Sequence, residues 1–232
     1  QWCSGAVGVA AARGEAHSSQ LDALCNMDGT PKARFAELVG KPYDGHGTPA
    51  PVALVPISSR NGLVTFLFGI AIKTPISAAK EFHQVLIKQG DVENERGLIR
   101  FQGANPLSVV INPVASDGDS HWTRGWRIDE TSVQRVVIVD VRTAYDFRAD
   151  QYDLGGDNSL SLSTMGTSRE TMKDYQVMMG GLDIDGTGYV MMVGNITVDA
   201  HGYPGIAMQT LQGQVQKSIQ YVHKNASSAA DK

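Results

Sequence analysis

The chain has 232 residues, of which 42% are hydrophobic and 19% charged, and its formal net charge is −4. With 20 basic against 24 acidic residues it offers no basic surface for a phosphate backbone, so nucleic acid is excluded as the main ligand. The 25 glycines favour many turns and short elements, which excludes coiled coils and collagen-like repeats.

The first segment, residues 1–28, is rich in Ala, Gly and Ser without a sustained period, and we interpret it as a loop-rich N-terminal arm. Cys3 and Cys25 both lie in this arm, and an even pair of this kind predicts one disulfide in an oxidising compartment. Two free thiols in a cytosolic chain are the alternative. The disulfide favours an extracellular or virion-associated location.

The predicted elements of the first half begin with a short helix over 20–26 and a helix over 30–40, where Thr30 is the N-cap candidate. Four prolines make 41–56 a predicted loop. A turn at Asn61 and Gly62 leads into a buried strand over 63–72, which is too short to cross a bilayer as a helix, so no transmembrane segment is expected. A helix then begins at the Thr74 cap and ends at Gly90.

The apolar period then changes from 3.6 to 2, which predicts strands over 98–101, 107–114, 133–141, 159–163, 175–179 and 189–198. Asp185 and Gly186 are the predicted hairpin turn before the last strand. A final helix is predicted over 204–223. We therefore predict a single α+β domain over 29–232, with a mainly antiparallel sheet, sandwich-like or jelly-roll-like, and peripheral helices.

The motif Asp-x-His occurs three times among only six histidines, at Asp44 and His46, Asp119 and His121, and Asp199 and His201. On an extended segment, residues two apart point to the same face, so each pair presents a carboxylate and an imidazole together. Such pairs are typical of metal ligands or of a carboxylate that orients a histidine. A divalent metal is therefore the candidate cofactor, and exposed polar loops are the alternative explanation.

Three further motifs are rejected as functional sites. Residues 183–189 resemble the start of an EF-hand loop, but Gly194 stands where the bidentate acid is required. Residues 45–48 and 166–168 resemble fragments of the His and Ser motifs of subtilisin-like proteases, from which Pro49 and Arg169 depart. The acidic stretch over 146–157 is interpreted as a solvated loop rather than a calcium site.

Methionine doublets predict an interface, which consists of Met178, Met179, Met191 and Met192. In a strand, a doublet places one Met on each face, so the hairpin must be covered on both sides by a second layer or a neighbouring copy. Because no catalytic motif survives inspection, we interpret the chain as a non-enzymatic, homo-oligomeric structural subunit, capsid-like or extracellular. A small extracellular hydrolase that uses the Asp-x-His loops, with or without a metal, is the alternative, and a pore-forming toxin is a third.

Overall fold

The computed structural model describes residues 41–46, 52–74, 90–116, 118–136, 138–155, 159–168, 171–184, 186–200 and 202–230. The described elements are, in chain order, β1 (Ala53–Arg60), β2 (Leu63–Thr74), α1 (Val92–Gln102), β3 (Ala104–Pro113), β4 (Trp122–Val136), β5 (Val139–Asp153), β6 (Ser159–Ser168), β7 (Met172–Ile184), β8 (Thr187–Asp199) and α2 (Pro204–Ala230).

All of these strands belong to one antiparallel sheet, with the order β1-β2-β8-β7-β6-β5-β4-β3. Strands β3 to β8 pair with their neighbours in sequence, and β2 pairs with β8, so the first hairpin joins the last strand. The predicted sandwich or jelly roll with peripheral helices is therefore wrong. Alternating apolar residues predict a sheet with a buried face, but they do not say whether a second sheet or helices cover that face.

The inner face of the sheet is the face that packs against α2. Register places Phe66 opposite Ile196, so both side chains project to this face. They belong to one buried cluster with three α2 residues at four-residue intervals, Leu211, Val215 and Ile219. The helix predicted over 204–223 is confirmed, and it continues to Ala230.

The turn between β1 and β2 is the predicted one. Asn61 and Gly62 have φ angles of 53° and 80°, in the left-handed region that these two residue types tolerate best. The strand predicted over 63–72 is confirmed as β2. However, β1 occupies the end of the segment predicted as loop, because an edge strand accepts a proline such as Pro56.

Helix α1 stands where a strand was predicted over 98–101. The Asp91 carboxylate accepts hydrogen bonds from the backbone N–H groups of Glu93 and Asn94 at 2.9 and 3.2 Å, which caps the helix. Gly103 ends it with a φ of 93°. A four-residue segment with three apolar residues does not distinguish helix from strand, and these two flanking caps decide it.

The strand predicted over 133–141 is a hairpin, in which Val136 at the end of β4 pairs with Val139 at the start of β5. Its connection holds Val and Ile rather than the Gly or Asn of a typical hairpin turn, so the sequence hides it. Both strands are long. Most of the acidic stretch, which was interpreted as a solvated loop, therefore lies in β5.

The methionine hairpin is buried on both faces within the single chain. Met178 and Met191 lie on the outer face, turned away from α2, and are 1% and 2% exposed. Met179 and Met192 pack against the inner cluster, which includes α2. The chain itself covers these residues, so the interpretation as a capsid-like or extracellular assembly subunit that buries them against neighbouring copies is wrong. A homo-oligomer with an interface at these residues stays a prediction. The pattern indicates two-sided burial, but it does not identify what provides the cover.

Several predictions fall outside the described residues. The N-terminal arm, Cys3 and Cys25 lie there, so the structure lends no support to the disulfide or to secretion inferred from it. The predicted helices over 20–26 and 30–40, and the body of the one over 74–90, lie there too. Within the described part of the chain, no helix is long and apolar enough to cross a membrane.

Candidate functional site

The predicted Asp-x-His pairs lie at separate places. Asp44 follows a residue that bridges to Ile72, near the end of β2. Asp199 pairs with Leu63 at the start of β2, and nine residues of extended strand span roughly 30 Å. Asp119 lies in the connection between β3 and β4, at the opposite edge of the sheet from β1. The structure does not bring these three carboxylates together.

Two of the pairs make local contacts. The backbone N–H of His46 donates to Asp44 at 3.0 Å, and that of His121 donates to Asp119 at 2.7 Å. Such contacts are typical of Asx turns. Among the described residues no group of three His, Cys, Asp or Glu side chains could hold a metal ion. One metal shared by all six residues does not fit these separate positions. Because His201 lies outside the described residues, a divalent metal bound by the Asp199 and His201 pair stays a prediction.

The acidic stretch on β5 is held by arginines. Asp146 pairs with Arg127 at 2.5 Å, and Asp150 pairs with Arg148 at 2.7 Å. The indole N–H of Trp122 donates to Asp150 at 2.8 Å. These carboxylates therefore have partners that fix β4 against β5, which is a structural role.

A different group of polar side chains lies between the inner face and the helices. This acidic cluster consists of Glu95 on α1, Glu130 and Ser132 on β4, Tyr145 on β5 and Tyr175 on β7. Only 8% of Glu95 and 5% of Glu130 is exposed. Two carboxyl groups are therefore removed from water within one interior region.

The hydrogen bonds of this acidic cluster are few and long. Glu130 accepts one from the Ser132 hydroxyl at 3.3 Å and one from the Tyr145 hydroxyl at 3.4 Å. For the Glu95 carboxyl, burial is the only influence that the described residues exert. No Lys, Arg or His in the described ranges forms an ion pair with either carboxyl.

Burial changes the protonation of these groups. Burial raises the pKa of Glu95 to about 7. Burial and the charge of Glu95 together raise the pKa of Glu130 to about 8, against the opposing effect of the Ser132 and Tyr145 hydrogen bonds. Burial also raises the pKa of Tyr145 well above its ordinary value, so its hydroxyl stays protonated. The two carboxyls therefore hold protons through much of the neutral range.

Aromatic and aliphatic side chains surround the acidic cluster. The Phe147 ring lies 5.9 Å from the Tyr145 ring and 6.0 Å from the Tyr175 ring, between centroids. Phe147 also packs with buried Ile128 and Ala149, which are fully shielded from solvent. The surroundings of the carboxyls are therefore apolar, with π faces close by.

A groove of about 320 Å³ opens between α2, the end of α1 and the end of β4. Its lining consists of Gln102, Gln134, Arg135, Val136, Ile206, Gln209, Thr210, Gly213, Gln214 and Lys217. The Gln214 amide N–H donates to the Gln134 side-chain oxygen at 2.6 Å, which ties α2 to β4. The Gln102 amide donates to the Ser218 hydroxyl at 2.8 Å, which ties α1 to α2.

The groove and the acidic cluster share the same faces of two elements. On β4, residues 130, 132, 134 and 136 alternate onto one face, so Glu130 and the groove residue Gln134 lie roughly 13 Å apart along it. On α1, Glu95 and the groove residue Gln102 are seven residues apart, which is two turns on one side of the helix. The groove therefore lies along the same strand face and the same helix as the two carboxyls.

Sequence reasoning missed both glutamates. Glu130 carries a readable signal, because Trp126 and Ile128 precede it at alternate positions and place it on an apolar strand face. Glu95 carried none, since its position follows only once 92–102 is known to be a helix. That Glu95 lies near enough for its charge to act on Glu130 follows only from the tertiary structure.

No protein-family model matches the sequence, and no curated protein matches it. Among solved structures, TTHA0849 from Thermus thermophilus is 11% identical, with 72% of this chain and 99% of that chain covered and a TM-score of 0.43. A truncated norcoclaurine synthase from Thalictrum flavum is 12% identical, with 72% and 96% covered and a TM-score of 0.43. The human StarD13 lipid transfer and protein localization domain is 10% identical, with 75% and 82% covered and a TM-score of 0.45.

Proposed function

We propose that the protein binds a small organic molecule between the inner face of the sheet and its two helices. Glu95 and Glu130 form the polar anchor of this site, and the groove is its entrance. The observation that supports the proposal is a buried carboxyl pair for which the described residues provide no cation. Glu95 and Glu130 replace the Asp-x-His loops as the candidate functional residues.

A purely structural role explains this pair poorly. Buried polar groups in folded proteins nearly always have hydrogen-bond partners, because an unsatisfied one costs about 1–3 kcal/mol. Asp146 and Asp150 follow this rule, since each has an arginine. Carboxyls that depart from it and have strongly raised pKa values concentrate at functional sites.

The dimensions support a small ligand. Ligand pockets commonly enclose about 300–1,000 Å³ and combine an apolar wall with a few polar groups. The groove volume of about 320 Å³ lies at the lower end of this range. Its amide side chains, with Val136 and Ile206, offer both hydrogen bonds and apolar contact.

The proposal is tested with Nile red, a neutral apolar dye, by fluorescence titration. Gly213 lines the groove and would meet nothing within 4 Å on gaining a Cβ, so Gly213→Leu fills the groove without a clash at that first atom. We expect saturable binding to the wild-type protein and an affinity lowered about tenfold or more in Gly213→Leu, which is about 1.4 kcal/mol.

Gly205→Leu is the matched control, because Gly205 lies on the same helix, also has no atom within 4 Å and does not line the groove. It should bind the dye as the wild-type protein does. Equal affinity in all three proteins, or no saturable binding to any of them, would contradict the proposed site.

The remaining expectations about partners and location are separate from this site. The acidic charge balance predicts that nucleic acid is not the main ligand, which a gel-shift titration checks. Light scattering at micromolar concentration measures the oligomeric state. The extracellular or virion-associated location stays a prediction.

A further inference from the structure

Within the described ranges, no positively charged side chain pairs with the carboxyls of the acidic cluster. Glu95 is more than nine-tenths buried, has no partner among the described residues, and lies near enough to Glu130 for its charge to act on that carboxyl. Two cationic side chains line the groove, and both have partners outside the acidic cluster. Arg135 pairs with Asp140 at 3.7 Å, and the Lys217 ammonium donates to the Gln102 carbonyl at 3.3 Å.

Two classes of charged ligand fit this interior poorly. An anion would meet two carboxyls and no cation of the described chain. A metal ion would find too few ligands, since calcium takes about 6–8 oxygens and the described residues contain no group of three candidate side chains.

An ammonium group fits both the charge and the surroundings. It donates hydrogen bonds to two carboxylates at once, and bonds between ionised partners are about twice as strong as neutral ones. The rings of Tyr145, Phe147 and Tyr175, which follow one another at about 6 Å, offer π faces to a cation.

We propose that the ligand of this site carries a basic nitrogen, which binds as an ammonium ion between Glu95 and Glu130 while its apolar part extends toward the groove. This inference rests on the proposed function and names its substrate class. The roughly 13 Å along β4 from Glu130 to Gln134 suits an unbranched amine of moderate length.

Binding of an ammonium ion must displace protons. In the free protein near pH 7 Glu130 is mostly a neutral acid and Glu95 is about half ionised, while the amine in solution is already protonated. When the ammonium binds, the O–H bonds of the acids break and their protons pass to the buffer, up to about one or two per ligand. A neutral ligand displaces none.

The test is isothermal titration calorimetry of the full chain with octylamine and, as its neutral counterpart, octanol. Titrations near pH 7 in buffers of different ionisation enthalpy give the number of protons released. We expect octylamine to bind about tenfold or more tightly than octanol. The number of protons released should decline above about pH 8, because the carboxyls are then already ionised in the free protein.

Glu95→Gln and Glu130→Gln should each lower octylamine affinity about tenfold and reduce the proton release, with little effect on octanol. The controls are Glu93→Gln, whose exposed side chain pairs with Arg96 on the same helix, and Asp129→Asn, the exposed neighbour of Glu130 on β4. Both should behave as the wild-type protein.

The outcomes separate the two proposals. If octanol binds as tightly as octylamine, or octylamine binds without proton release, the ammonium inference is wrong and the binding site stands. If neither probe binds and Nile red does, the ammonium inference alone is wrong. If neither probe nor Nile red binds, both proposals are wrong.

Discussion

Replacing Glu95 by Gln should stabilise the protein at neutral pH and have much less effect in acid. Gln keeps the size of the side chain but cannot ionise. In the wild-type protein at neutral pH, the Glu95 carboxyl ionises in the unfolded chain and stays partly protonated in the folded chain, which lowers the free energy of unfolding. Gln removes this loss. This effect exists because burial raises the pKa of the Glu95 carboxyl to about 7, from an ordinary value of 4.5.

The magnitude follows from proton linkage. Below pH 4.5 the carboxyl holds its proton in both states, and the wild-type protein has its full stability. As the pH rises from 4.5 toward 7, the unfolded chain ionises while the folded chain does not, and stability is lost. The difference of 2.5 pH units, at about 1.36 kcal/mol per unit, amounts to about 3 kcal/mol.

The assay is urea unfolding of both proteins between about pH 4 and pH 8, followed by circular dichroism. The titrating groups that Glu95 does not influence contribute equally to both proteins and cancel in the difference between the two unfolding free energies. Glu130 loses the charge that helps to raise its pKa, which adds to the difference in the same direction. That difference should shift by about 3 kcal/mol in favour of Glu95→Gln across this range. Parallel stability curves would refute the burial of an ionisable, unpartnered carboxyl. Glu93→Gln, at an exposed position, should give such parallel curves.

Three further changes probe the scaffold of the site. Burial opposes ionisation of Asp146, but hydrogen bonds from Thr167 and Arg127 lower its pKa overall. The ionised Asp146 therefore stabilises the fold above its ordinary pKa of 3.8, and this effect is lost as the pH falls through the lower pKa of the folded state. Asp146→Asn should cost about 1–3 kcal/mol in urea unfolding near pH 7 and clearly less near pH 3. A Cβ on Gly194 would lie 2.6 Å from the Gln176 carbonyl oxygen, so Gly194→Ala should cost about 1–3 kcal/mol, and an unchanged thermal midpoint would contradict this packing. Gly213→Ala meets nothing within 4 Å on α2 and should instead stabilise the protein by about 1 kcal/mol, measured in the same thermal scans.

The buried pair also explains how binding and stability are connected. At neutral pH the two neutral acids lower the stability of the free protein relative to an acidic solution. A ligand that ionises them in place recovers part of this free energy on binding. Glu95 and Glu130 then lower the stability of the free protein but contribute to the stability of the complex, which is common for residues at binding sites.

Elements with a strong local signal were predictable from the sequence. The apolar stripe of Leu211, Val215 and Ile219 gives α2, and the Asn61 and Gly62 turn gives the start of β2. The hairpin between β7 and β8 follows from Asp185 and Gly186 between two apolar runs. Where the local signal was weak the prediction was wrong, as in the β4–β5 hairpin, whose connection lacks turn residues, and in α1.

The sequence by itself determined that both faces of the methionine hairpin are buried and that 204–223 is an amphipathic helix, because a side-chain period is a property of the local chain. Only the tertiary structure decided that the strands form one sheet, that α2 covers its inner face and that Glu95 lies near enough to act on Glu130. These are relations between segments far apart in sequence, and no local pattern records which surfaces meet. Burial raises the pKa values of both carboxyls, and the charge of Glu95 adds to the rise for Glu130, so the candidate site exists only in the folded chain.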